Sequence, residues 1–426
     1  MKPLILSTTD VEGGAARAAY RLHKGLHSIR VPSQMLVRGK FSFDRAVIAE
    51  KNILTKLGPP LSNLPLRRYP QRERKLFSAQ WFPDAIASGV AQMNPDVVNL
   101  HWICNGYVQI ETLAKLKKPL VWTLQDMWAF TGGCHYSENC HRYQEQCGQC
   151  PQLKSNRARD LSRQVWQRKF KAWKDLNLTI VVPSTWMAEC VRASSLFQDR
   201  RVEVIPFCLD TQTYCPMAQK TARELLDLPP DKKLILFGAI AATDDRRKGF
   251  HLLQPALKTL SQFGGEDNIE VVVFGASQPE EPIELGFKVH YLGSFSDDLS
   301  LSVIYSAADV MIVPSLQESF GQTASEALAC GTPVVAFDAT GLKDIVDHQR
   351  NGYLAKPYEI EDLAKGIHWV LADPLRHDQL KRHAREKAEQ AFPLALQARR
   401  YLSLFNEICA EVSKTRPIYA VRSLEP

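Results

Sequence analysis

Short apolar runs bounded by turn residues alternate with helix-length amphipathic stretches along the whole chain. "PLILST" (3–8) reads as a buried strand, and "TDVEGGAARAAYRLHKGLHS" follows it with two glycines and an Ala-rich segment at helical spacing. "DVVNLHW" (96–102), "PLVWTLQD" (119–126) and "LTIVVPS" (178–184) continue the series. A second series holds "KLILFGAI" (233–240), "IEVVVFGAS" (269–277), "VHYLGSF" (289–295), "DVMIVPS" (309–315) and "TPVVAFD" (332–338). Strands apolar on both faces, separated by helices, belong to parallel sheets with helices on either side. The pattern predicts an α/β protein of two doubly wound, Rossmann-like domains facing one another.

The seam lies in "RVEVIPFCLDTQTYCP" (201–216), a strand-like run that passes into a Pro- and Thr-bearing segment. The expected division is residues 1–203 and 204–393, with a helix at about 394–416 packing back on the first domain and a polar tail over 417–426. At 426 residues the chain exceeds the roughly 250–300 at which single cores stop growing. In such sheets ligands bind beyond the carboxyl ends of the strands, which puts the site in the interdomain cleft.

An apolar fraction of 45% and a charged fraction of 23% describe a soluble globular protein. No segment approaches the ~20 apolar residues of a membrane span, and "MKPLILSTTDVEGG" turns polar too early for a signal peptide. The expected location is cytoplasmic. The net charge of +7 is uneven: residues 1–200 hold 29 Lys and Arg against 15 Asp and Glu, whereas 201–426 hold 24 against 31. The excess gathers in "LRRYPQRERK" (66–75) and in "KSNRARDLSRQVWQRKFKAWK" (154–174), where Trp166, Phe170 and Trp173 are interleaved. Such a face suits anionic lipid headgroups or nucleic acid, or is simply solvated.

Candidate chemistry falls at the carboxyl ends of predicted strands. Gly13 and Gly14 allow backbone N–H groups to approach a ligand at a helix start. The loop "ATDDRRKGFHLL" (242–253) sets Arg246, Arg247 and Lys248 where a helix begins, unfavourable against its dipole unless an anion, Asp244 and Asp245 or a nucleotide diphosphate, neutralises them. In "QESFGQTASEALAC" Glu318 precedes a helix opened by Gly321, and Glu326 follows two turns later. The N–H groups near Ser319, Phe320, Gly321 and Gln322 then face any phosphate held by the basic loop. Carboxylates nearby suit sugar hydroxyls, though capping is the simpler role for Glu318.

With those motifs in order, the stretch from "LGSFSDDLSLSVIYSAADVMIVPS" through "GLKDIVDHQRNGYLAKP" resembles the C-terminal domain of the family-4 retaining glycosyltransferases, whose fold is called GT-B. "TDVEGGAARAA" resembles that family's glycine loop, "VVPSTWM" its last N-domain strand, "VIPFCLDTQTYCP" its crossover and "RRKGF" its phosphate loop. The resemblance implies that Glu318 contacts the donor sugar, that Glu326 holds the ribose hydroxyls, and that Arg247 and Lys248 hold the diphosphate. "TLQDMWAFTGGCHY" departs from the family's Thr-Leu-His-Asp: Gln125 stands where a His is usual. Gln125 exchanges hydrogen bonds but takes no proton. Asp126 remains a catalytic candidate, and His101 and Arg17 are candidates on the acceptor side.

The expected function is transfer of a sugar from a UDP-, GDP- or ADP-sugar to a hydroxyl, with retention and without a required cofactor; no Asp-x-Asp motif stands ready for a divalent metal. The expected acceptor is a glycan or lipid-linked glycan of exopolysaccharide or surface-polysaccharide assembly. Its expected setting is the inner face of an anionic membrane, with no nucleic acid partner. An epimerase, a phosphorylase and a non-catalytic nucleotide-sugar-binding protein are the alternatives. Separately, "GGCHYSENCHRYQEQCGQCPQL" (132–153) clusters Cys134, Cys140, Cys147 and Cys150, which suits a structural zinc, disulfides or free thiols. The remaining six cysteines, among them Cys104, Cys190 and Cys330, sit in apolar contexts and are expected to pack.

Overall fold

The computed structural model describes residues 1–238, 245–264, 268–278 and 284–415; Asp244 and the tail 417–426 lie outside them. Strands β1 (Pro3–Thr9), β2 (Gln34–Gly39), β3 (Val47–Ala49), β4 (Val97–Leu100), β5 (Leu120–Thr123), β6 (Leu178–Val182) and β7 (Val202–Val204) form one sheet in the order β3-β2-β1-β4-β5-β6-β7. Strands β8 (Lys233–Gly238), β9 (Ile269–Phe274), β10 (Lys288–Tyr291), β11 (Val310–Val313), β12 (Val334–Phe337) and β13 (Gly352–Ala355) form a second, in the order β10-β9-β8-β11-β12-β13. All pairings between these strands are parallel.

Both faces of each sheet are covered, which is why the central strands read as unbroken apolar runs. Leu4, Leu6, Val98, Leu100, Leu120 and Trp122 face a core that includes Trp128, Trp173 and Phe197. Ile5, Val97, Val121 and Val181 face the opposite one, with Leu22 and Leu26 of the helix Gly14–Ser28. The long helix Leu394–Thr415 supplies Ala398, Tyr401, Leu404, Phe405 and Ile408 to that same core. The chain therefore crosses from the first layer to the second and returns.

The helix Leu161–Trp173, capped by Asp160, corrects the expected basic face in one respect. Lys169 is fully buried, its Nζ donating to the carbonyls of Trp128 and Thr131 beneath the Trp128 ring, and burial pulls its pKa down to about 7. Arg168 pairs with Glu111, while Phe170 stays 49% exposed. No helix of the described residues is long and apolar enough to cross a membrane.

Candidate functional site

In both sheets the strands run in one direction, and their carboxyl-end loops meet across a cleft. The turn Arg246–Lys248 is capped by the Asp245 side chain, which accepts from the Arg247 N–H. Gly249 then turns the chain at φ 79°, where a Cβ would stand 1.8 Å from the Pro314 carbonyl oxygen. That close approach seats the basic turn on the exit of β11. Gly249→Ala is therefore expected to cost about 1–3 kcal/mol of stability, read as a lowered urea midpoint, and to weaken any ligand that Lys248 holds.

Seated there, Lys248 Nζ lies 2.6 Å from Glu318 Oε1, which also accepts from Ser315 Oγ at 3.1 Å. Arg247 Nη1 stands 3.4 Å from the same oxygen and donates to the Gln317 carbonyl, while Nη2 pairs with Asp245 at 2.9 Å. Glu318 is buried, which opposes its ionisation, but Lys248 and then Arg247 outweigh burial and hold its pKa below the usual carboxylate range. Gly321, at φ 110°, opens the helix Gln322–Ala329, whose first N–H groups have no partner within it. The Phe320 ring packs in the core against Phe207 and Phe392, so what it can offer a ligand is its backbone.

Glu326 lies deeper, 4% exposed, with Oε1 at 2.8 Å from Arg21 Nη2 and Oε2 accepting from Tyr305 Oη at 2.9 Å. Arg21 comes from the other sheet's first helix and also reaches Tyr214 Oη at 3.0 Å and Asp298 at 3.3 Å. Gly13, at φ 89°, leads into that helix, and the Gly14 carbonyl accepts from Gln322 Nε2 at 2.8 Å. Arg17 donates to the Ser296 carbonyl and stands 3.5 Å from Asp298, so it spans the cleft. Sequence reading passed over Arg21, Tyr214, Tyr305 and Tyr136; the Tyr136 ring lies 4.5 Å from the Arg247 guanidinium.

At the exits of β4 and β5 the other candidates sit in two buried pairs. Gln125 Nε2 donates to His101 Nδ1 at 2.9 Å, and His101 Nε2 lies 2.9 Å from Asn99 Oδ1. Burial drives the His101 pKa down to about 3, so the ring is neutral and Gln125 serves it as a donor. Asp126 accepts from Trp102 Nε1 at 2.9 Å and from the Trp128 N–H at 2.8 Å, and lies 2.6 Å from His135 Nδ1. Burial opposes its ionisation, and His135 more than compensates, lowering its pKa. His101, Gln125 and Asp126 line a cavity of about 10 Å³, room for about one water.

A buried neutral His sets the sign of an acid effect. The unfolded chain takes up a proton below about pH 6.5 that folded His101 refuses until about pH 3, so stability is expected to fall as pH drops through that window. Urea midpoints measured from pH 7 to pH 4 should fall less steeply in His101→Gln than in the wild type.

All ten cysteines are free thiols, and Cys104, Cys190, Cys208 and Cys330 are buried as packing residues. Cys134, Cys140, Cys147 and Cys150 line one cavity of about 20 Å³. Among the described residues, however, no three or more His, Cys, Asp or Glu side chains are arranged to hold a metal ion. His135, beside these cysteines in sequence, is turned to Asp126 instead. The loop reaches the cleft: the Glu138 N–H donates to Gln317 Oε1 at 3.1 Å.

Comparison with known proteins decides the family. The profile of Glycosyltransferase Family 4 matches residues 12–213, and that of Glycosyl transferases group 1 matches residues 219–388. The chain belongs to the family-4, group-1 glycosyltransferases. D-inositol 3-phosphate glycosyltransferase of Xylanimonas cellulosilytica is 34% identical over 233 residues, 51% of this chain and 53% of that one. The same enzyme of Rhodococcus erythropolis is 29% identical over 54% of this chain and 53% of its own length. The chain thus spans about half the length of these curated relatives. The fold is GT-B. Sucrose-phosphate synthase of Thermosynechococcus elongatus superposes with a TM-score of 0.70 at 22% identity, over 96% of this chain and 99% of that one. HepE of Anabaena, solved with UDP and glucose, gives 0.61 at 18%, over 96% and 100%.

Proposed function

We propose that this member of the family transfers a glycosyl group from a nucleotide diphosphate sugar to an acceptor hydroxyl, with retention of configuration. The observation that carries this reading is the convergence of Lys248, Arg247 and the open N-terminus of the helix Gln322–Ala329 around Glu318, opposite the Gly13–Gly14 loop. A diphosphate between them would meet two cations and unpaired N–H groups. As the bond from the anomeric carbon to the diphosphate breaks, negative charge grows on the leaving phosphate, where those groups are preorganised to stabilise it. The acceptor oxygen bonds to the same face of that carbon, and its proton passes to the leaving phosphate oxygen. His101, whose lowered pKa makes it a poor base, and Gln125, which has no titrating proton, then position sugar and acceptor.

The reading requires no resident metal, since Arg247 and Lys248 offer the positive charge. A UDP-sugar is the favoured donor, because HepE was solved with UDP and with UDP-glucose. The acceptor is proposed to be a glycan or lipid-linked glycan on an anionic membrane surface, in surface-polysaccharide assembly. The basic residues of the first 200 positions and exposed Phe170 support that setting.

Thermal unfolding with UDP-, GDP- and ADP-sugars tests the donor. A ligand at 100 times its Kd adds about 2.7 kcal/mol of stability. One nucleotide series should raise the unfolding temperature of the wild type and fail to raise that of Glu326→Gln. No response to any series would overturn the reading. A response without sugar transfer would favour a nucleotide-sugar-binding protein, the alternative that Gln125 raises.

A further inference from the structure

We infer that Tyr136, carried across the cleft by the loop between β5 and the helix Leu161–Trp173, is a positioning residue for Arg247: it fixes the plane of the guanidinium that meets a nucleotide diphosphate. The inference rests on the donor site proposed above. The Tyr136 ring lies 4.5 Å from the Arg247 guanidinium and covers one of its faces. Within the plane, Nη1 donates to the Gln317 carbonyl and Nη2 to Asp245 Oδ2, each at 2.9 Å. Two in-plane bonds and one covered face hold a long, flexible side chain in one orientation, with its remaining N–H donors left for a phosphate.

The loop is built to keep that ring in place. Gly133 turns the chain at φ 126°, where a Cβ would stand 2.5 Å from the Phe77 ring, and Phe77 pairs with Cys134 in an antiparallel bridge. Gln152 Nε2 donates to the Tyr136 carbonyl at 2.7 Å. Two residues on, Glu138 and Gln317 exchange two hydrogen bonds, from the Glu138 N–H to Gln317 Oε1 at 3.1 Å and from Gln317 Nε2 to the Glu138 carbonyl at 3.3 Å. Gln317 thus joins the two partners: its side chain holds the loop that carries Tyr136, and its carbonyl holds Arg247.

What the ring contributes is preorganisation. Burial pushes the Tyr136 phenol up to about 12 against the pull of Arg247, so a neutral ring faces the cation. Its electron-rich face attracts the guanidinium without occupying the N–H donors that a phosphate would use. A carboxylate in its place would also attract Arg247, but it would repel the diphosphate. An unrestrained arginine loses rotamer freedom when it closes on a ligand, and the ring removes that loss in advance. Tyr136 follows β5 of the first sheet and Arg247 follows β8 of the second, so the phosphate side of the donor site is completed from across the cleft.

The test uses the full chain and calorimetric titration of UDP, GDP and ADP, which needs no acceptor. Tyr136→Phe keeps the ring and should bind the preferred nucleotide within about twofold of wild type, whereas Tyr136→Leu, with its urea midpoint checked, should bind it about 3- to 10-fold more weakly. Phenylalanine analogues of rising fluorine content at position 136 keep the shape while drawing electron density from the ring face, and Kd should rise with each fluorine. In an Arg247→Ala background the loss caused by Tyr136→Leu should disappear, since Tyr136 acts through Arg247. A Kd that is equal in Tyr136→Leu and wild type, that ignores fluorine content, or that Tyr136→Leu raises just as much without Arg247, overturns the inference and leaves the donor site standing. Wild-type protein that binds none of the three nucleotides overturns the donor reading, and the inference falls with it.

Discussion

Replacing Lys248 with alanine is expected to lower turnover about 10²- to 10³-fold, the usual loss when one preorganised group facing developing charge is removed. Lys248 acts twice here. Its Nζ lies 2.6 Å from Glu318 Oε1, helping to keep a buried carboxylate ionised, and in the proposed reaction it faces the charge gained by the departing diphosphate. Arg247 remains within 3.4 Å of Glu318 in the variant and is itself tied to Asp245 and to the Gln317 carbonyl, so the loop should hold its place. The loss should therefore fall on kcat more than on folding. Lys248→Arg should recover only part of it, because a planar fork does not reproduce a point charge at that position. Initial rates with saturating donor measure the effect; a Lys248→Ala enzyme within threefold or so of wild type would place the leaving-group stabilisation elsewhere.

The second large effect belongs to Arg21, and it concerns stability. Arg21 and Glu326 are each about 5% exposed, 2.8 Å apart, and they come from helices packed on different sheets. Removing one member of a buried ion pair leaves the other charged and desolvated, which costs about 3–5 kcal/mol. Arg21→Ala should accordingly lower the urea midpoint strongly. Arg21→Met combined with Glu326→Gln should restore much of it, since no unpaired charge then remains. The same contact bears on ligand binding: both oxygens of Glu326 are engaged, so ribose hydroxyls reach that carboxylate only by sharing it with Arg21 and Tyr305. Equal unfolding midpoints for Arg21→Ala and wild type would show that the pair does not join the two halves in solution.

Much of this was legible because strands buried on both faces announce themselves as apolar runs, and β1, β4, β5, β6, β8, β9, β11 and β12 all do. The strands passed over are short or edge-like: β3 has three residues, β2 carries Arg38 at its end, and β13 is the tetrapeptide "GYLA". Their places are set by pairing with a neighbour, which a single run cannot show. At the site the local motif was readable: Lys248 and Glu318 stand at strand exits and do meet. What was not readable is contact between distant segments. Arg21 occurs on a helix that reads as amphipathic, and nothing near it in sequence points 305 positions ahead to Glu326. His101 and Asp126 were visible as chemistry-bearing residues, but burial that leaves His101 neutral and the hydrogen bonds of both to Gln125 and His135 come from the fold. Phe320 sat inside the motif, yet its ring belongs to the core.

In the proposed reaction a sugar leaves its nucleotide at the cleft between Lys248 and Glu318 and keeps its configuration. Proton NMR of the product formed from UDP-α-glucose and a membrane-extracted acceptor tests it most directly. An α-linked product is expected, and its formation should collapse in Lys248→Ala. A β-linked product, or an α-linked product formed equally well without Lys248, would contradict it.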